Sequence, residues 1–241
     1  MQTSIRPSER STQLHKYGDN FYRFLASFAV RSAEQIVPLL GAALQISSVV
    51  DFGCGHGAWL NIWRKAGARV VGVDGPYIDR KHLMIDANEF CAADLSRPID
   101  LGRRFDVVQS LEVAEHLPAS HATEFIDTLT AHGPLVMFSP AIPGQGGEHH
   151  INEQPLEYWR EKFRERRYVA IDCVRPQVIA NLQVQHWYRY KFFSTWQNRI
   201  WQHCPTRCLY SEFPSIRDCV IIGRCPTGPV MPNTAIAALL C

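Results

Sequence analysis

Two short stretches of this sequence carry side chains that could act on a bound molecule. In the first, Glu112-Val113-Ala114-Glu115-His116, two carboxylates and an imidazole recur close together. If the segment is helical, Glu112, Glu115 and His116 share one face. Such a face can take up a proton, because imidazole titrates near neutrality. It can also hold a hard divalent ion such as Mg or Mn, with Glu112, Glu115, His116 and a distal His150 as ligands. The second stretch is Gly146-Gly147-Glu148-His149-His150-Ile151-Asn152-Glu153-Gln154. Without a metal, His150 is the first choice as general base and His116 the second. Glycines around Gln145 would let this loop move over a substrate.

A third stretch binds rather than reacts. Asp51-Phe52-Gly53-Cys54-Gly55-His56-Gly57 follows the apolar run from Ser48 and precedes a helical pattern. Its glycines let the backbone turn sharply and let a ligand lie against the peptide planes. Gly53, Gly55 and Ala58 also satisfy the dinucleotide fingerprint, and Asp74 is spaced to hold a ribose diol. Asp51 separates the two cofactor classes. A carboxylate at the end of the first strand repels a pyrophosphate but suits a cofactor with a cationic amine and no phosphate. S-adenosylmethionine is such a molecule. Asp74 can accept from its ribose, and Asp94, in Ala92-Ala93-Asp94-Leu95, from its adenine amino group.

The elements that must position these groups alternate in type. Strand-like runs at 48–52, 70–73, 105–108, 135–138 and 168–174 are interleaved with helical patterns at 58–66, 122–131 and 155–163. That alternation predicts parallel βαβ units with helices on both faces and ligands along the strand C-termini. A helix is predicted over Phe21–Val37, with Pro38 and Gly41 as its stops. Asp218–Gly223 reads as the closing strand. The long interval before it reads as a helical cap, in which Trp187 to Trp201 form an aromatic lid with basic heads turned outward. The expected organisation is an N-terminal helical cap (1–46), a main domain (47–225) with a cap insertion at about 176–215, and a tail (226–241).

The glycine loop, Val73-Asp74-Gly75, Ala93-Asp94-Leu95 and Phe105-Asp106-Val107-Val108 together resemble class I S-adenosylmethionine-dependent methyltransferases, roughly from Ser47 to Val174. The resemblance implies a Rossmann-like α/β fold, a mostly parallel sheet with one antiparallel strand near its edge. It assigns Asp51, Gly53, Cys54, Gly55 and Gly57 to the methionine part, Asp74 to the ribose and Asp94 to the adenine, with Gly75, Leu95 and Ser110 beside them. The product would be S-adenosylhomocysteine. The glycine-rich histidine loop followed by Tyr158-Trp159 resembles bacterial methyltransferases of small-molecule tailoring. The Glu-x-x-Glu-His pattern with a distal histidine resembles small-RNA 3′-terminal ribose 2′-O-methyltransferases, which bind a metal there, but the distal context departs from theirs.

Composition narrows the choice. With 241 residues, 46% hydrophobic and 20% charged, the chain can bury a sizeable core, which excludes disorder as its main state. No apolar run approaches a membrane span, and the polar start lacks a secretory core, so a cytoplasmic protein is expected. The eight cysteines then read as reduced thiols, and Cys204-x3-Cys208 and Cys219-x5-Cys225 miss the usual zinc spacing. A net charge of +2 argues against a nucleic acid as main partner. The charge is uneven: residues 151–210 hold ten Lys/Arg against five Asp/Glu, which suits an anionic small acceptor. The reading is an O-methyltransferase of a small hydroxyl- or carboxyl-bearing molecule. Ribose 2′-O-methylation of RNA and a non-catalytic S-adenosylmethionine-binding regulator are the alternatives, and the oligomeric state is left open.

Overall fold

In the computed structural model, which describes residues Asp19 to Gln197, the apolar runs pair as one seven-stranded sheet. Its strands are β1 (Ser48–Phe52), β2 (Arg69–Asp74), β3 (Phe90–Ala92), β4 (Val107–Leu111), β5 (Leu135–Ser139), β6 (Tyr168–Ile171) and β7 (Phe193–Gln197). Their order is β3-β2-β1-β4-β5-β7-β6. The first five run parallel, and β7 lies antiparallel between β5 and β6. Every residue of β4 and β5 is buried, because helices cover both faces of a parallel sheet. The expected Rossmann-like architecture, with one antiparallel strand near the edge, is therefore present.

The helices are α1 (Asp19–Ala43), α2 (Ala58–Lys65), α3 (Ala122–His132), α4 (Leu156–Glu165), α5 (Arg175–Val178) and α6 (His186–Lys191). Each face has its own core. One packs Ile36, Val37 and Leu40 of α1 with Leu60 and Trp63 of α2 and with Tyr188 and Phe192. The other packs Phe125, Ile126 and Leu129 of α3 with Phe138, Trp159 and Phe163. The strand order reverses at the boundary between the parallel β1 and β4, since the chain builds outward to β3 on one side and to β5 on the other, and this opens a crevice beyond their C-terminal ends. The glycine loop leaves β1 there, and the Glu-His segment leaves β4 there.

Three expectations needed correction. α1 runs through Pro38 and Gly41 rather than stopping before them. Both lie on the exposed side of the helix while Ile36, Val37, Leu40 and Ala43 are buried, and that packing outweighs the backbone bond that Pro38 cannot donate. The 176–215 interval is not wholly helical, since Phe193–Gln197 is a strand of the sheet itself. β5 has an open neighbouring edge, which β7 fills with paired backbone groups. Lys191 does not turn its head outward; it is buried at 5% exposure against Glu112. The strand expected at 218–223, both cysteine pairs, Trp201 and the tail from Pro226 lie outside the described residues.

Candidate functional site

The glycine loop is shaped chiefly by backbone bonds, with one side-chain bond from Asp74. Gly53 and Cys54 donate their N–H groups to the Val73 carbonyl at 2.8 and 3.3 Å, which hangs the loop on the end of β2. Gly53 adopts φ +91°, and a Cβ there would fall 2.2 Å from Val113 Cγ2. Glycine is required both for the turn and for the close passage of the β4 segment. Gly55, at φ +53°, has no protein atom within 4 Å of a built Cβ, so the space beside it is open.

Asp51 is 3% exposed at the end of β1. Its Oδ2 accepts from Gln109 Nε2 at 2.7 Å, and Gln109 Oε1 in turn accepts from Trp63 Nε1 at 3.1 Å. Asp51 Oδ1 has no hydrogen-bond partner among the described residues. Burial, with the Asp74 carboxylate adding to it, pushes the Asp51 pKa up to about 8. Asp74 places Oδ2 on the Gly55 N–H at 2.7 Å and Oδ1 on the Gly75 N–H at 2.7 Å and the Tyr77 hydroxyl at 2.6 Å. Cys54 is buried, and its thiol pKa is raised by burial and by both carboxylates. Ser110 is buried with an unpartnered hydroxyl. Asp94 is exposed and turned to Ser96, whose hydroxyl and N–H hold its pKa down. Leu95 belongs to the core.

A cavity of about 490 Å³ joins this loop to the acidic-histidine segment. Its wall includes Cys54, Gly55 and His56 on one side and Glu112, Glu115, His116, Gly147 and His150 on the other. Ala29 from α1 and Trp187 and Tyr188 from α6 also line it. Tyr188 is fixed by an edge-to-face contact with Trp59 at 5.2 Å.

The structure separates the residues expected on one helical face. The chain leaves β4 through Glu112 at φ +56°, its N–H on the Ser139 carbonyl at 2.6 Å, and only Ala114–His116 winds a single 3₁₀ turn. Glu112 accepts from Lys191 Nζ at 2.7 Å, from Gln145 Nε2 at 3.2 Å and from the Ser139 hydroxyl. Lys191 also bonds Gln145 Oε1. This network fastens the cap to the loop after β5.

Glu115 turns the other way. It is fully buried, and its carboxylate oxygens make no hydrogen bond of good geometry. Burial and the neighbouring Glu112 raise its pKa to about 8, held back by the N–H groups of Glu115 and Ala141 and by Lys191. Its carbonyl accepts the N–H groups of Ile151 and Asn152 at 2.9 and 3.0 Å, which brings the histidine loop over it. The His116 and His150 rings then meet edge to face at 5.0 Å. Burial and His150 lower the His116 pKa. His116 Nδ1 lies 3.3 Å from the His149 carbonyl and His150 Nδ1 lies 2.9 Å from Glu153 Oε1. Glu153 has a pKa below the ordinary carboxylate range, first because of that His150 bond. A carbonyl and a carboxylate only accept, so both histidines carry a proton on Nδ1, and in the neutral rings Nε2 is the acceptor.

One ligand atom each from Glu115, His116 and His150 lies within 4.8 Å of the others, as a metal site needs. Ligands at about 2.1 Å from an ion stand no more than about 4.2 Å apart, so a small closure would suffice. Glu112 is outside this group, its carboxylate being taken by the cap. Gln109 and Glu153 were missed as site residues. Gln109 had a signal, a polar residue inside the apolar β4 run, while Glu153 had none beyond its place in the loop.

The family profile described as "Methyltransferase domain" matches residues 18–172. Among curated proteins, the ubiquinone biosynthesis O-methyltransferase of Rhodopseudomonas palustris is 29% identical over 120 residues, 46% of either chain. That of Bradyrhizobium diazoefficiens is 31% identical over 120 residues with the same coverage. This chain thus spans about half the length of the curated relatives it matches. The sugar N-methyltransferase KedS8 from Streptoalloteichus superposes with a TM-score of 0.60 at 16% identity, covering 82% of this chain and 99% of its own. The magnesium protoporphyrin IX methyltransferase of Synechocystis gives 0.54 at 17% identity, with 75% and 85% covered. These likenesses concern the fold.

Proposed function

The chain belongs to the methyltransferase-domain family, and from that premise we propose that it is an S-adenosylmethionine-dependent O-methyltransferase acting on a small hydroxyl- or carboxyl-bearing molecule. The observation that carries the reading is the single cavity with the glycine loop on one side and the His116–His150 pair on the other. The donor set fits the cofactor. Asp51 offers an unpartnered buried oxygen to the ammonium, Gly55 leaves open space beside the loop, and Asp74 offers its carboxylate to the ribose once Tyr77 yields. Cys54 lines the same side of the cavity, and Gly53, Gly57, Gly75, Asp94, Leu95 and Ser110 are the further residues assigned to the cofactor in this reading.

Once bound, S-adenosylmethionine supplies a methyl group on a sulfonium, ready for in-line displacement. The protein must then align an oxygen and remove its proton. His150 Nε2 takes that proton, and His116 Nε2 stands beside it as the second acceptor. Trp187 and Tyr188 close the acceptor end against water. The curated relatives are O-methyltransferases by name, which supports oxygen over nitrogen as the acceptor atom.

Full-length protein incubated with methyl-labelled S-adenosylmethionine and a panel of phenols, catechols, hydroxy acids and aminosugars tests the proposal. S-adenosylhomocysteine formed with a hydroxyl or carboxyl acceptor supports it, while transfer only to amines overturns it. Binding without transfer to any acceptor would instead favour the regulator, and transfer to RNA ends the ribose methyltransferase.

A second reading has its own observation, the buried and poorly satisfied Glu115 carboxylate facing His116 and His150. These three residues would hold a divalent ion, Mg or Mn, which would polarise the acceptor oxygen. Turnover unchanged in excess chelator removes this reading.

A further inference from the structure

Glu153 makes three bonds with one carboxylate. Oε2 accepts the Gly144 N–H at 2.9 Å, and Oε1 accepts the Gly146 N–H at 2.8 Å while lying 2.9 Å from His150 Nδ1. A loop staple would need only the two glycine amides, and the third bond reaches the ring that lines the cavity. Oxygens already facing two peptide donors offer only lone pairs to that ring, so Nδ1 must donate. In the neutral ring the far nitrogen is then bare. It lies against Gly147, where a Cβ would come 2.3 Å from His150 Nε2. A side chain at 147 would overlap the ring and push it from this position. The same loop thus supplies the histidine, the carboxylate that orients it and the glycine that leaves it open.

We propose that Glu153 is the positioning residue of the acceptor site, holding His150 as the Nδ1–H tautomer so that Nε2 faces the cavity with a free lone pair. The inference rests on the reading of His150 as the base. In the step it serves, the acceptor oxygen bonds to the methyl carbon as the carbon–sulfur bond breaks. That electron pair moves onto sulfur and neutralises the sulfonium, and the hydroxyl proton passes to His150 Nε2. The imidazolium so formed keeps its Nδ1–H on the Glu153 carboxylate, which places a negative charge beside the new positive one. By analogy with the carboxylates behind metal-ligating histidines, whose loss costs about 10- to 100-fold, a loss of at least about tenfold is expected here.

The test uses the full chain with Glu153→Gln, which preserves size and one acceptor oxygen. Nitrogen-15 spectra of the His150 imidazole report the tautomer directly, and steady-state kinetics separate kcat from KM. The native protein is expected to show a protonated Nδ1 and a bare Nε2. In Glu153→Gln the two tautomers mix and kcat falls about 10- to 100-fold, with acceptor KM and S-adenosylmethionine affinity within about twofold of native. A native His150 protonated on Nε2, or a Glu153→Gln protein with native kcat, overturns the proposal. Should that variant not fold, Gly147→Ala takes its place, because its methyl must push the His150 ring out of the position in which Glu153 holds it, with the Glu153 carboxylate unchanged. It is expected to lose at least about tenfold in kcat with cofactor affinity kept, and native kcat in this variant equally overturns the proposal. If the native chain binds S-adenosylmethionine and methylates nothing, the functional reading fails, and the tautomer spectra still decide the role of Glu153.

Discussion

The two sides of the cavity are built from different materials. On the cofactor side, consecutive residues of one tight loop hang on the end of β2, and positive-φ glycines do most of the shaping. On the acceptor side, side chains from four separate segments meet: Glu112 after β4, Ser139 at the end of β5, Gln145 in the next loop, and Lys191 in α6. A local backbone motif leaves a spacing pattern that can be read along the chain. A network spanning 79 positions, from Glu112 to Lys191, leaves none. Changes on the first side should therefore move cofactor affinity and leave the acceptor chemistry alone, and changes on the second should move turnover or the stability of the cap.

The largest expected effect tests that division at its reactive centre. His150→Ala should lower kcat by about 10²- to 10⁴-fold and leave S-adenosylmethionine affinity near native by calorimetry. Loss of cofactor binding in this variant would break the division. Lys191→Met comes next, since it strands the Glu112 carboxylate. Chemical denaturation should show a loss on the order of 3 kcal/mol, much of it recovered when Glu112→Gln is added. Gly53→Ala should cost about 1–3 kcal/mol from the strained φ and the Val113 clash, and should weaken cofactor binding without changing the acceptor KM of whatever protein remains competent.

A pH series sharpens the comparison further. The empty protein keeps Asp51 protonated up to about 8, whereas an ammonium needs it ionised. Binding must then release a proton, and S-adenosylmethionine affinity should rise by about tenfold per unit as pH climbs from roughly 6 to 7.5. Calorimetry in buffers of different ionisation enthalpy measures the proton directly, and Asp51→Asn should abolish the slope. For folding the sign is opposite. A raised carboxylate pKa contributes stability that is full below the unfolded value near 3.8 and is lost as pH rises through about 8. The smallest expected effect is Tyr77→Phe. It frees Asp74 from the hydroxyl bond and should tighten cofactor binding by no more than about fivefold; weaker binding would show that Tyr77 assists the cofactor instead.

Much of the glycine-loop side of the cavity was legible beforehand. Asp51, the three glycines and Asp74 stand where their order placed them, because strand, turn and helix are adjacent in the chain. The supports of Asp51 were not legible: Gln109 reaches it only because β4 pairs with β1 at that register. Asp94 followed the family order, yet its carboxylate turns to Ser96. On the acceptor side His116, His150 and Glu115 came together as their residue types suggested. Glu112 did not join them, since a positive φ at the strand end swings it toward the cap.

No described helix is long and apolar enough to cross a membrane. Within the described residues, the sequence by itself determined the alternation of strands and helices, the glycine loop and the residue types of the His116–His150 pair. Hydrophobic period and glycine placement act over a few residues, so their consequences are local. Tertiary structure alone decided that β7 fills the sheet between β5 and β6, that Lys191 turns inward, and that Gln109 reaches Asp51. Each of those outcomes depends on which buried polar group lacks a partner once the chain has folded, and that need arises only when distant segments have excluded water together.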